Sequence, residues 1–329
     1  MKRVGNLFER ATSFTHLLRC YKKARQGTRK SLRLCAFGFQ LENELFQLQE
    51  ELRSGTYQPR PYRYFTVKDP KRRTIAVADF RDRVVHHAVV GVLEPIYERC
   101  FIHDSYATRK GKGAHAAVFQ AQKYLRQNQW FLKTDIQKYF DSIRHNVLLE
   151  LIERKVKDRQ LLELIPKILS NGGLAGIGLP IGNLTSQFFA NVYLHHFDHW
   201  VKEKLRIPHY IRYMDDFVLF QPEKQVVKAL KKAVEEELGQ YLGLTLKPSA
   251  TFINQRENGL SFLGTRIFSG IIRLHPDHAR RAAHKLECKQ NEWEEGLLSE
   301  EKYLQSLNSY VSYFSVYGTN GLRNIVMGE

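Results

Sequence analysis

Apolar residues recur along this chain in two rhythms. Leu41, Leu45, Leu48 and Leu52 fall at helical spacing and the run stops at Ser54-Gly55, which predicts a helix closing a helical stretch over residues 1–55. Val84, Val85, Ala88, Val89, Val92 and Leu93 trace a buried helix between Arg83 and Glu98. Residues 145–170 carry two helical patterns split at Lys157-Asp158, and residues 224–242 carry another through Val227, Leu230, Val234 and Leu238. The other rhythm is short and strand-like: Trp130-Phe131-Leu132-Lys133-Thr134, then His209-Tyr210-Ile211-Arg212 and Phe217-Val218-Leu219-Phe220 around a polar turn. Strands interspersed with helices, without a G-x-G-x-x-G spacing, predict an α+β sheet-and-helix fold, with the 224–242 helix over the back of the sheet. Beyond Ile272 the chain turns helical again.

The turn of the predicted hairpin reads Tyr213-Met214-Asp215-Asp216. Adjacent anions in a place that would otherwise be packed repel each other and resist desolvation, so a divalent cation is the economical reason for them. A third carboxylate, Asp135, ends the Trp130 strand; if that strand lies beside the hairpin, Asp135 and Asp215 can share two cations, with Asp216 in support. Asp141 reads as a helix-start or surface residue. His195, His196 and His199 lie close in sequence, but no hydrolase signature accompanies them and zinc is not expected. His86 and His87, on or beside the Arg83–Glu98 helix face, read as structural. Gly172-Gly173 and Gly176 fit either a close approach of backbone to a ligand or an ordinary turn.

Charge narrows the partner. Among 329 residues, Lys plus Arg number 51 against 34 Asp plus Glu, a formal charge of +17, which points to a polyanion. From Tyr57 to Val77 aromatic residues (Tyr62, Tyr64, Phe65) alternate with basic ones (Arg60, Arg63, Lys68), a mixture suited to a nucleic-acid strand. The run from Lys22 to Lys30 fits either a phosphate grip or a solvated charge run. No apolar run approaches the length of a membrane span, and the amino terminus lacks the apolar stretch of a signal peptide. Cytoplasmic residence is expected. The four cysteines form no Cys-x-x-Cys pair, which argues against a zinc module or a disulfide framework.

In these segments and their order the chain resembles a bacterial reverse transcriptase. The strand from Phe131 to Ile143, the block Gly178-Leu179-Pro180-Ile181-Gly182-Asn183-Leu184-Thr185-Ser186-Gln187, the YMDD hairpin, Leu242-Gly243-Leu244-Thr245-Leu246-Lys247 and Leu260-Ser261-Phe262-Leu263-Gly264 resemble that family's successive palm motifs. Asp69-Pro70-Lys71-Arg72-Arg73-Thr74-Ile75 and the stretch from Asp79 to His87 resemble fingers motifs of group II intron and other bacterial members. Ile181-Gly182, three residues, then Ser186-Gln187 is similar to the pattern of diversity-generating retroelement enzymes, where most members carry Gln-Gly and Ser-Pro. The loop from Arg109 to Gly113 and the ending Ser309-Tyr310-Val311 to Tyr317-Gly318 look like that group too. Phage-defence reverse transcriptases share related blocks and stand as the alternative.

The resemblance implies a right-hand polymerase: an N-terminal helical extension at 1–55, fingers at 56–130, a palm at 131–272 with finger helices at about 145–175, and a small helical thumb at 273–329. It implies two Mg²⁺ ions, replaceable by Mn²⁺, held by Asp135, Asp215, Asp216 and the backbone carbonyl of Ile136. Arg73, assisted by Lys71 or Arg72, would clamp the triphosphate. Phe140 would lie under the sugar and exclude a 2′-hydroxyl; Ile181, Gly182 and Gln187 would complete the nucleotide pocket. Tyr213 and Met214 would meet the primer terminus. Lys247 reads equally as a proton donor to pyrophosphate or as a solvated lysine. The implied partners are an RNA template and primer, dNTPs, the cDNA product and a small helical accessory protein.

Overall fold

The computed structural model describes residues 3–27, 32–68, 71–171 and 176–317. Thr28 to Lys30 of the basic run, Asp69-Pro70, Gly172-Gly173 and Gly318 lie outside the described residues. The chain divides into two compact units. The first comprises residues 1–109, 136–207 and 233–247, the second 110–135, 208–232 and 248–329.

The first unit is mainly helical. Phe80–Glu98 packs against both Phe14–Arg25 and Leu184–His199, and its predicted apolar face, Val84, Val85, Ala88, Val89, Val92 and Leu93, is buried throughout. Its start is fixed by polar groups. Asp79 caps the helix by accepting from the Arg81 amide at 3.2 Å. Asp82 accepts from the Tyr57 hydroxyl at 2.7 Å and the Arg60 amide at 2.9 Å. Arg60 also pairs with Asp79 at 3.2 Å, and Arg81 with Glu51 at 2.6 Å. These bonds tie the Leu41–Ser54 helix and the following loop to the buried helix. The two patterns in 145–170 are the helices His145–Glu153 and Arg159–Ser170. Asp158, where they split, caps the second through the Leu161 amide at 3.3 Å and also binds the amides of Leu7 and Phe8 at 2.6 and 2.9 Å. Strands β1 (Arg63–Val67) and β2 (Arg73–Val77) form an antiparallel hairpin in which every β1 residue is exposed, Tyr64 and Phe65 included.

In the second unit, β3 (Trp130–Asp135), β4 (Tyr210–Tyr213), β5 (Asp216–Gln221) and β6 (Phe252–Gln255) build an antiparallel sheet in the order β4-β5-β3-β6. Leu132, Phe217, Leu219 and Phe131 are fully buried. The helix packed on β4 and β5 is Ala114–Gln127, a segment the apolar rhythm did not single out. Its buried face is small, Ala117, Val118 and Ala121, with Leu125, and Tyr124 meets Phe220 edge-on with ring centroids 5.9 Å apart. Val227 and Leu230 of the 224–242 segment are buried as their spacing predicts, as are Val234 and Leu238, which belong to the first unit. Strands β7 (Leu260–Phe262), β8 (Thr265–Ile267) and β9 (Ile272–Leu274) form a small meander. The end of the chain, whose acidic residues balance its basic ones, supplies Pro276–Glu294 and Glu300–Ser315, joined by Trp293 stacked on Tyr303 at 5.1 Å. Among the described residues no helix is long and apolar enough to cross a membrane.

Candidate active site

Strand pairing brings the three carboxylates to one end of the sheet. Asp135 is the last residue of β3 and stands opposite Asp216, the first of β5; Asp216 in turn stands opposite Tyr213, the last of β4. Asp215 and Met214 form the two-residue turn between β4 and β5. The turn requires a left-handed residue, and Met214 takes it at φ 58°. A non-glycine residue there costs on the order of 1–3 kcal/mol and persists only when its surroundings hold it. Arg212 is one holder: its side chain is completely buried, and Nη1 donates to the Met214 carbonyl at 3.0 Å.

Lys133 is the other feature that reading the sequence passed over. It lies two residues before Asp135, hence on the same face of β3, and its Nζ is 3.1 Å from Asp216 Oδ1, with 11% and 20% of the two side chains exposed. The oxygen facing it is sealed from solvent and has no aligned hydrogen bond, so the contact is an ion pair. Burial pushes the Asp216 carboxyl up to about 7; Lys133 opposes this, and the charges of Asp135 and Asp215 add to it. A hard carboxylate whose proton affinity is raised by two neighbouring carboxylates fits a divalent cation such as Mg²⁺. Among the described residues no group of three or more His, Cys, Asp and Glu side chains already converges on a common metal position.

The residues expected to bind nucleotide lie in the first unit. The Ile181 carbonyl accepts from the Ala76 amide at 2.8 Å, and Asn183 Nδ2 donates to the Ala76 carbonyl at 3.2 Å, so this block is laid on the edge of β2. Gly182 has φ 116°, and a Cβ there would stand 2.7 Å from Ile75 Cγ2 and 2.9 Å from the Ala76 carbonyl oxygen. Packing on β2 alone therefore demands glycine. Arg73 opens β2, three residues before Ala76, and is exposed, as is Lys71. Phe140 is half-buried beside Tyr139, and its carbonyl accepts from the Leu179 amide at 2.7 Å, which ties it to the same block. Gln187 is exposed in the first turn of Leu184–His199. A cavity of about 290 Å³ adjoins it, lined by Ala78, Arg83, His86, His87, Gly182 and Gln187 among others. Burial holds His86 neutral, its pKa lowered to about 3, and its Nε2 has no hydrogen-bond partner.

Ile136, next in sequence after Asp135, is buried and bridges Leu246, while the Gln137 amide donates to the Thr245 carbonyl at 2.9 Å. Asp141 is exposed in the short helix Tyr139–Ser142. His199 bonds Glu203 at 2.5 Å and the Cys100 carbonyl at 2.8 Å, and His196 lies 3.8 Å from Glu237.

A family model described as reverse transcriptase (RNA-dependent DNA polymerase) matches residues 67–267. Protein YkfC of Escherichia coli (strain K12) is 28% identical over 270 residues, covering 68% of this chain and 71% of YkfC. The group II intron-encoded protein LtrA of Lactococcus lactis subsp. cremoris is 33% identical over 191 residues, 55% of this chain; the match spans 32% of LtrA. Among solved structures, telomerase from Candida Tropicalis, in complex with a fragment of telomeric RNA, superposes with a TM-score of 0.50 at 14% identity, covering 68% of this chain and 47% of that one. With the family model matched from the end of β1 through β2 and the carboxylate strands to β8, more than half of the chain, the chain belongs to the reverse transcriptase family of RNA-directed DNA polymerases.

Proposed function

We propose that this polymerase makes cDNA by nucleotidyl transfer at Asp135 and Asp215. The observation that carries the reading is the register placing Asp135 opposite Asp216 with Asp215 in the adjoining turn. Divalent ions bound there would supply the charge that activates a 3′-hydroxyl and offsets the triphosphate. Asp216 supports the pair, and the Ile136 carbonyl completes the donor set. Tyr213 and Met214, at the braced turn, meet the primer terminus. Arg73, with Lys71, holds the triphosphate, since a forked guanidinium matches phosphate oxygens. The Phe140 ring excludes a 2′-hydroxyl, and Ile181, Gly182 and Gln187 shape the nucleotide pocket. The exposed aromatic and basic residues of β1 contact the RNA template. Residues 56–130 act as fingers, 131–272 as palm and 273–329 as thumb.

The test is Asp215→Asn in a primer-extension assay with Mg²⁺. Loss of a metal-held charge stabilisation of several kcal/mol lowers nucleotide addition by about a thousandfold, while RNA binding stays near wild type because the basic surface is intact. Near-normal incorporation by the mutant would remove Asp215 from the chemistry.

A narrower role follows from Ile181-Gly182 and Ser186-Gln187: error-prone copying of a dedicated RNA in a diversity-generating retroelement. Where most relatives carry a glutamine amide able to reward correct placement, Ile181 offers only shape. Restoring one hydrogen bond of ~1 kcal/mol raises discrimination about fivefold, so Ile181→Gln lowers misincorporation, most at template adenines. Sequencing cDNAs from both proteins on one RNA checks this, and equal error rates at every base would clear Ile181.

A further inference from the structure

The carboxylate end of the sheet carries a cation of its own. Lys133 and Asp135 share a face of β3, and Asp216 stands across from Asp135 on β5. Along its own strand, Lys133 runs parallel to Asp135; across the strands, the diagonal neighbour is within reach of a long side chain. The ammonium takes that diagonal, 3.1 Å to Asp216 Oδ1. Because the oxygen is sealed from solvent, a metal ion could reach it only by displacing the ammonium, and two cations on one buried carboxylate repel strongly.

We propose that Lys133 is a resident counter-ion: it occupies Asp216 Oδ1 and keeps that oxygen out of the metal shell, leaving Asp135 and Asp215 as the principal carboxylate donors to the divalent cations. Lys133 is thus a positioning residue that acts through Asp216. The proposal rests on the reading of this site as a divalent-cation centre. It gives a physical reason for adjacent carboxylates with unequal duties: Asp216 carries the Lys133 ammonium on Oδ1, and Asp215 lies in the turn. It also sets the site's charge, since the Lys133 ammonium removes one unit of negative charge from what the incoming cations meet.

That charge count supplies the test. Mn²⁺ binding is measured by electron paramagnetic resonance, without RNA or nucleotide, on the full chain and on Lys133→Met, Lys133→Arg, Asp135→Asn and the double variant Lys133→Met/Asp216→Asn, each checked for folding by thermal melting. Lys133→Met removes one positive charge from the carboxylate end and should bind Mn²⁺ about tenfold tighter or more, whereas primer extension falls because Asp216 now competes for the metal. Lys133→Arg, which keeps the charge, should restore wild-type affinity. The double variant has the wild-type charge count without the ion pair, so it folds even if the single Lys133→Met variant does not. Its Mn²⁺ affinity should match wild type. A loss of about tenfold or more in the double variant would make Asp216 itself a ligand and overturn the proposal, as would unchanged or weaker binding in folded Lys133→Met. Asp135→Asn separates the two levels. If it leaves Mn²⁺ binding intact, the metal-centre reading itself has failed; if it weakens binding while the double variant also loses metal, only the role of Lys133 has failed.

Discussion

The two units bury carboxylates in opposite ways. In the first, Asp82 is enclosed by the Tyr57 hydroxyl and the Arg60 amide, Asp79 by Arg60 and the Arg81 amide, and Glu51 reaches Arg81. In the second, Asp135, Asp215 and Asp216 are set near one another, and Asp216 is raised to about 7 even with Lys133 against it. Burial raises Asp82 as well, but there both hydrogen bonds pull it back down. Acid groups surrounded by donors hold a fold together. Acid groups that repel one another cost stability, and a fold keeps them for what they can bind. The difference can be seen only once partners are known, because Asp79 and Asp82 are as close in sequence as many metal-ligand pairs.

Exchanging a single atom in each cluster gives the largest effect. Asp135→Asn should lower nucleotide addition by about a thousandfold and leave the melting temperature equal or higher, since it removes repulsion. Asp82→Asn should do the reverse. One amide face must now meet a donor, so about 1–3 kcal/mol of stability is lost, and activity at low temperature survives. Melting curves and primer extension on the same two proteins decide it, and a destabilised Asp135→Asn would break the contrast.

Next in size is Gly182→Ala, which probes a structural demand in the middle of the proposed nucleotide pocket. Its Cβ would stand 2.9 Å from a backbone oxygen, at a φ that L-residues avoid. The contact disfavours the Ile181–Ala76 pairing and costs about 1–3 kcal/mol. Stability and the KM for dNTPs should change together, while Mn²⁺ affinity stays put. A shift in Mn²⁺ affinity would show that the pocket block and the carboxylates are not independent in the way the contrast requires.

Much of this was legible in the chain. The hairpin, the strand ending at Asp135 and the buried 84–93 face announce themselves because one physical cause, a strict apolar period, dominates each. Ala114–Gln127 escaped because its buried face is mostly alanine, which packs closely but gives weak contrast, and β6 escaped because Phe252-Ile253-Asn254-Gln255 is half polar. At the site, the carboxylates were readable from type and spacing, whereas Lys133 and Arg212 were read as members of apolar strands. Their signal was present: a cation inside a buried strand needs a partner nearby. The partner itself comes from register, which residue order alone does not fix. Gly182 was assigned to the nucleotide pocket, and the geometry adds a different reason for it, the close approach of β2.

His86 offers the finest test of the contrast, because it is a buried polar group in the first unit whose Nε2 has no partner. Its folded pKa is near 3 against an ordinary 6.5, so the folded state holds it neutral. Between those values the unfolded chain binds one more proton than the native one. Stability is therefore fully present above about 6.5 and declines as pH falls, by about 2 kcal/mol between pH 7.5 and 5 from this group. Half-buried His16 and His87 shift in the same direction, so the comparison must be differential. Urea unfolding of wild type and His86→Leu at the two pH values isolates it: the variant should lose about 2 kcal/mol less on acidification and be no less stable at pH 7.5. If that holds with polymerase activity unchanged, His86 is a tolerated orphan of packing. If activity is lost while stability is kept, its bare nitrogen and the cavity beside Gln187 belong with the carboxylates of the second unit, among polar groups kept for binding.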